Sequence, residues 1–204
     1  ELGVDKSDIY GSDLYLYNRM EPSIWGVNEE FVSAPHLDDL QCAYSALQGF
    51  LQGHNSKNIN VMVCYDNEEV GSGTKQGAGS TFLHDVLHRI NTALGKPEEA
   101  YYRALANSFM LSADNAHAVH PNHPEKTDAT NCVYMNEGIV VKSHAGQKYT
   151  SDAVSIAIFR KICEEASVPV QFFSNRSDMA GGSTLGNISS TKVAMNAVDI
   201  GLPQ

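Results

Sequence analysis

The 204-residue sequence is 42% hydrophobic and 19% charged with 7 prolines, the composition of a globular chain able to bury a sizeable core. No apolar stretch approaches the roughly 18–20 residues of a membrane helix, which argues against a membrane partner. A formal net charge of −10 argues against a nucleic-acid partner, because phosphate binding wants a basic stripe and none is visible.

Residues 1–20 are polar and tyrosine-rich, with a short alternating run around Leu14 and Leu16. After Glu21-Pro22 the pattern changes. Leu40, Ala43, Tyr44, Leu47, Phe50 and Leu51 recur at helical spacing, with Asp38 or Asp39 placed to cap the start and Gly53 to mark the end. Ile59 to Tyr65 is an apolar run broken only by Asn60, which suits a strand in a covered parallel sheet. Asp66-Asn67-Glu68-Glu69 follows at once, at the carboxyl end of that expected strand, where open α/β sheets build their sites.

Helices are predicted over 80–94 and 97–108, after which Phe109–Leu111 leads into Asp114. Residues 117–130, rich in His, Pro and Asn, read as a loop. Ile139–Lys142 reads as a strand and Ser151–Ala166 as a helix with Ile158, Phe159, Ile162, Cys163 and Ala166 inward. Val168–Ser174 and Val198–Ile200 read as strands either side of the glycine-rich Asn175–Gly186 stretch. The alternation predicts an α/β fold with a mostly parallel central sheet covered by helices on both faces.

Cys42, Cys64, Cys132 and Cys163 are far apart and form no CxxC pair, so they read as buried free thiols of a reducing, cytoplasmic compartment. The sequence begins at Glu1 without an initiator Met and stops just after a strand-like segment, the pattern of a fragment.

Three carboxylate sites stand in turns beside apolar runs: Asp38, the pair Glu68-Glu69, and Asp114. Adjacent glutamates after a buried strand repel each other unless something offsets their charge, and a divalent cation would do so. One member of such a pair could ligate metal while the other stands free as a base. The bland alternative makes Asp38 and Asp39 helix caps and the glutamates solvated loop charges; spacing alone leaves both open.

Other patterns carry less. His84-Asp85-Val86-Leu87-His88 resembles the zincin HExxH pattern but has Asp in place of the longer general-base Glu, and reads as a surface coincidence. His117, His120 and His123 recur every third residue, but Pro121 and Pro124 break helical geometry between them. Gly181–Gly186 lacks the Gly-Lys-Ser/Thr ending of a phosphate loop and reads as a tight substrate-lining turn. No Gly-x-Ser-x-Gly elbow occurs.

In order, Pro-His-Leu-Asp38-Asp39-Leu, Asp66-Asn-Glu68-Glu69-Val-Gly-Ser and Ser-Ala-Asp114-Asn-Ala-His117 resemble the aspartyl aminopeptidase family of zinc metallopeptidases. So do Asn175-Arg-Ser-Asp-Met-Ala-Gly-Gly-Ser-Thr-Leu-Gly and the ending Asp199-Ile-Gly-Leu-Pro-Gln204. The resemblance implies a catalytic domain over 21–204, incomplete at both ends, with residues 1–20 the tail of an inserted dimerisation domain. It implies homo-oligomers, commonly dodecamers, that remove N-terminal and often acidic residues from peptides. It also implies two zinc ions, with Asp38 bridging both, Glu69 and Asp114 as terminal ligands, and Glu68 as general base. His117, Lys142 and Tyr149 fall where the family has substrate-contacting groups. Related two-metal peptidases often carry a cis peptide after the bridging aspartate, here Asp38–Asp39.

The family's two metal-ligand histidine regions are absent, and three carboxylates are too few and too hard a set to hold two zinc ions well. The chain alone is therefore expected to bind zinc weakly and to turn over little substrate. Two rival functions remain: a dinuclear aminopeptidase of neutral or broad preference, and a non-catalytic assembly module of the same fold.

Overall fold

Short strands need a tight turn before they can pair, and the first unit of the chain supplies one. A computed structural model describes residues 3–204; Glu1 and Leu2, at the start of the expected insertion tail, lie outside the described residues. The chain divides into two compact units, one ending at Leu37 and one spanning Asp38–Gln204. In the first, β1 (Ser23–Trp25) pairs antiparallel with β2 (Phe31–Ser33). Trp25 stacks on Phe31 at 4.8 Å between ring centroids and donates from Nε1 to Ser33 Oγ at 2.7 Å. Strands of three residues are too short for a periodicity to register in the sequence. The Leu14–Tyr17 run is exposed and belongs to no regular element.

The second unit is built on a four-stranded sheet of β3 (Phe109–Ala113), β4 (Ile139–Ser143), β5 (Val170–Ser174) and β6 (Asn196–Gly201). Its order is β3-β6-β4-β5. β3 runs parallel to β6 and β4 parallel to β5, while β4 meets β6 antiparallel. The sheet is thus mainly parallel, as expected, with one antiparallel seam that the alternation of elements could not reveal.

Side chains alternate across the sheet and divide the core in two. On one face Val141, Val198 and Ile200 pack with Phe159 and Cys163 of α4 (Ala153–Glu165). On the other, Val140 and Phe173 pack with Ala116, Val133 and Tyr149. α5 (Leu185–Ser190) joins that second face, where Gly186 lies against the sheet. A Cβ at Gly186 would fall 2.7 Å from both Asp199 Oδ1 and Ser112 Cβ, so only glycine permits this approach.

α4 begins at a capping box: Asp152 accepts from the Ser155 amide at 2.7 Å while Ser155 Oγ accepts from the Asp152 amide at 2.9 Å. Its inward stripe is narrower than the sequence suggests. Phe159 and Cys163 are buried, whereas Ile158 and Ile162 are exposed because they sit on the flank of the i, i+4 contact line.

α1 (Leu37–Gln52) forms where expected, and the Gly53 amide closes on the Gly49 carbonyl at 2.9 Å. α2 (Phe82–Ala93) and α3 (Glu98–Ala106) pack together with Tyr101 edge-on to His84 and His88, and His84 pairs with Asp85 at 3.1 Å. The His84/His88 pair is accounted for by that aromatic cluster.

One expected element does not form. Ile59–Tyr65 belongs to no strand, since no described segment forms a ladder with it, and Ile59 and Val61 remain exposed. Apolar composition marks a strand's faces, but a strand also requires a neighbour for its backbone groups.

All four cysteines are free, with Cys42 and Cys163 buried, Cys132 half-buried and Cys64 exposed, contrary to the expectation that all are buried. Burial pushes the Cys42 thiol up to about 12 and raises that of Cys163. Only the thiolate reacts, so a colourimetric disulfide reagent at pH 8 is expected to label Cys64 first in the native chain. Cys42 and Cys163 should be labelled only after denaturant is added; rapid native labelling of either contradicts this.

Candidate metal centre

Three turns carry the acidic residues, and each is held by its own local chemistry. Asp38 and Asp39 stand at the head of α1 with non-helical dihedrals, and the peptide between them is cis, as the resemblance implies. The Glu68-Glu69 turn folds onto itself. Asn67 takes a left-handed φ of 59° that its side chain tolerates, and its Nδ2 donates to Thr74 Oγ1 at 3.1 Å. The Ser72 amide returns to the Asn67 carbonyl, and Gly77 sits so near Ser72 that a Cβ would fall 2.4 Å from the Ser72 carbonyl oxygen. Asp114 follows β3 directly, its amide donating to the Ile200 carbonyl at 3.1 Å.

These turns bring carboxylates together. Asp38, Asp39 and Asp114 each present an oxygen within 4.8 Å of the others, the one such group of metal-ligand atoms among the described residues. Glu69 is not part of it, but its charge reaches Asp38 and Glu68. Asp39 is the member that sequence reasoning had left as a cap. Its neighbour drew the motif, and only the irregular backbone lets two adjacent side chains reach one point.

Burial and mutual repulsion show in the acidities. Burial, then the Asp114 charge, pushes the Asp38 carboxyl up. Burial pushes Asp39 up to about 6. Burial followed by the charges of Glu69, Asp114 and Asp38 raises Glu68.

A polar frame surrounds the cluster. Gln204 Nε2 donates to Asp38 Oδ2 at 3.2 Å, and the Cys42 thiol donates to Asn115 Oδ1 at 2.9 Å. Asn115 Nδ2 donates to Gln41 Oε1 and Gln204 Oε1, both at 3.1 Å. Asn115 and Gln204 lie within the motifs that carry the resemblance but drew no role there, and Gln41 has no signature short of this contact.

Lys142 lies in β4 and is 3% exposed; its ammonium donates to Asp114 Oδ2 at 3.1 Å and to the Asn115 carbonyl at 2.7 Å. It also lies 5.8 Å from the centroid of the buried Tyr149 ring. His117 is exposed on the segment that follows Asn115. The His117, His120 and His123 series forms no common site; His120 and His123 rings lie 5.4 Å apart, and His123 pairs with Glu125.

A cation fits these residues. Hard carboxylate oxygens converge, and Asp39 Oδ1 is buried without a hydrogen-bond partner. The raised carboxyls also set a pH dependence for the metal-free chain. An acid whose folded value exceeds its unfolded one stabilises the fold below the unfolded value, and that contribution is lost as pH rises through the folded value. For Asp39 the window runs from 3.8 to about 6. In a chelator, the urea midpoint is therefore expected to be higher at pH 5 than at pH 7.5. The difference from this half-exposed group is about 0.5–1 kcal/mol after discounting for solvent screening. A midpoint that rises from pH 5 to 7.5 contradicts it.

A mainly parallel α/β sheet stands beside a point where Asp38, Asp39 and Asp114 converge and could hold a cation. Residues 1–204 match the family model described as Aminopeptidase I zinc metalloprotease (M18), and the chain belongs to that family. It is 52% identical over 203 residues to a probable M18 family aminopeptidase 2 of Clostridium novyi, covering 100% of this chain and 47% of that protein. It is 38% identical over 210 residues to an aspartyl aminopeptidase of Caenorhabditis elegans, covering 100% of this chain and 44% of that protein. Among solved structures, the S. cerevisiae mApe1 dodecamer superposes with a TM-score of 0.79 at 28% identity, over 92% of this chain and 43% of that one. The chain spans about half the length of the curated relatives it matches.

Proposed function

We propose that this chain forms part of the active site of a zinc aminopeptidase that removes N-terminal, preferentially acidic, residues from peptides. The observation that carries the reading is the convergence of Asp38 and Asp114, far apart in sequence, with Glu68 and Glu69 in the same electrostatic field. Asp38 is assigned as the carboxylate shared by two zinc ions, with Glu69 and Asp114 as terminal ligands. When bound, zinc supplies Lewis-acid polarisation of the scissile carbonyl and acidifies water.

Glu68 then accepts a proton from the attacking water and delivers it to the leaving amine. A carboxylate beside the ligand Glu69 suits a role that must both take and return a proton. His117, Lys142 and Tyr149 are assigned to the substrate region, His117 at the carbonyl; an acidic substrate group there would share the Lys142 ammonium with Asp114 and the Asn115 carbonyl. Residues 1–20 are assigned to the inserted domain, and the parent to a cytoplasmic homo-oligomer, in line with the dodecamer of the mApe1 neighbour. The converging group among the described residues offers carboxylates and no imidazole, so weak zinc binding is expected of it.

A chimera tests this: the chain replaces the matching half of the Clostridium novyi relative and is assayed on peptides with N-terminal Asp, Glu and Leu. Zinc-dependent cleavage favouring Asp and Glu supports the proposal. Preference for Leu indicates the broad aminopeptidase, and a folded chimera with zinc but no cleavage of any peptide contradicts catalysis.

A further inference from the structure

Lys142 is the one buried Lys or Arg among the described residues. It is not reached from solvent but from the sheet. The antiparallel pairing of β4 with β6 ends at Val141 and Ile200, the residues that adjoin Lys142 and Asp199, and β3 pairs Ser112 with Asp199. The Lys142 charge also acts on Asp199. Asp199 is 1% exposed and accepts from the Thr150 amide through Oδ2. One ammonium thus bonds a carboxylate of the metal cluster while its charge also favours a buried carboxylate in the sheet.

The contacts are directional. Lys142 holds Oδ2 of Asp114 at 3.1 Å and the carbonyl of the next residue at 2.7 Å, so it fixes the backbone and the side chain of one turn together. Its charge acts also on Asp38, Asp39 and Glu68. A lysine placed only to meet substrate would present its ammonium to the cleft. This one spends its hydrogen bonds on the protein.

We propose that Lys142 is the internal counter-cation of Asp114, a positioning residue whose charge keeps the acidic cluster assembled without metal and opposes metal entry. The proposal rests on the reading of Asp114 as a zinc ligand and adds to it. A buried charge pair broken on one side leaves the other charge uncompensated, whereas removing both charges avoids that penalty. Metal affinity moves the other way, since a positive charge beside a ligand repels an incoming cation.

The test is a double-mutant cycle in chelator, read by urea unfolding, with zinc titrations alongside by calorimetry. Lys142→Met is expected to lower the urea midpoint by about 1 M or more. Adding Asp114→Asn is expected to recover at least about half of that loss. Zinc is expected to bind the Lys142→Met chain at least about threefold more tightly than the unaltered chain.

A double variant no more stable than Lys142→Met overturns the proposal, as does a zinc Kd that Lys142→Met leaves unchanged or weakens. Rescue with no zinc binding in either chain supports the counter-charge and fails the ligand reading of Asp114. Zinc binding without rescue does the reverse.

Discussion

Glu68→Gln, introduced into the Clostridium novyi chimera, is expected to lower kcat by about 10²–10⁴-fold with zinc content and peptide KM little changed. Glutamine keeps the length and polarity of the side chain but can neither accept the proton of water nor return it to the amine. The geometry supports a separate base because Glu68 is half-buried while its neighbour Glu69 is exposed, so adjacent glutamates occupy unlike environments. Burial and three nearby carboxylates act on Glu68 together. Steady-state hydrolysis with metal analysis on the same preparation separates the roles. Loss of zinc together with activity would make Glu68 a ligand instead, and unchanged kcat would remove it from the chemistry.

Phe159→Ala is expected to cost about 3–5 kcal/mol of folding stability. Phe159 is 5% exposed and is the ring through which α4 meets Val141, Val198 and Ile200. Truncation leaves a void between two rigid layers that cannot close without moving a strand, so the cavity adds to the lost transfer free energy. Set against a typical domain stability of about 5–15 kcal/mol, that is a large fraction. Urea unfolding in chelator measures it. Because Val141 precedes Lys142 in β4 and Ile200 follows Asp199 in β6, the loss should also loosen the strands behind the metal cluster. A cost below about 1 kcal/mol would mean that α4 contributes little to holding the sheet.

Much of this was legible in the residues. The long periodic segment Leu40–Leu51 and the shorter Val168–Ser174 run declared their elements, the latter starting two residues later in the structure, and the acidic turns stand out because they interrupt apolar runs. What escaped depends on neighbours. Ile59–Tyr65 looks like a strand from its own faces, yet pairing needs a second backbone that no described segment provides. The antiparallel seam between β4 and β6 depends on how the 175–195 crossover returns, which no local pattern encodes. Asp39 reads as a cap until the backbone at Asp38–Asp39 departs from helical dihedrals. Lys142 reads as the end of a strand and, through the resemblance, as a substrate contact, with nothing local to show it buried. Its burial depends on distant segments, Asp114, Asn115 and Tyr149, that close over its ammonium.

Metal analysis of the chimera and its Asp38→Asn, Asp114→Asn double variant tests the zinc centre most directly. Bound zinc near two ions per chain, falling to less than about one tenth in the folded double variant, is the predicted result. Full zinc retention in that variant would place the metal elsewhere and contradict the assignment.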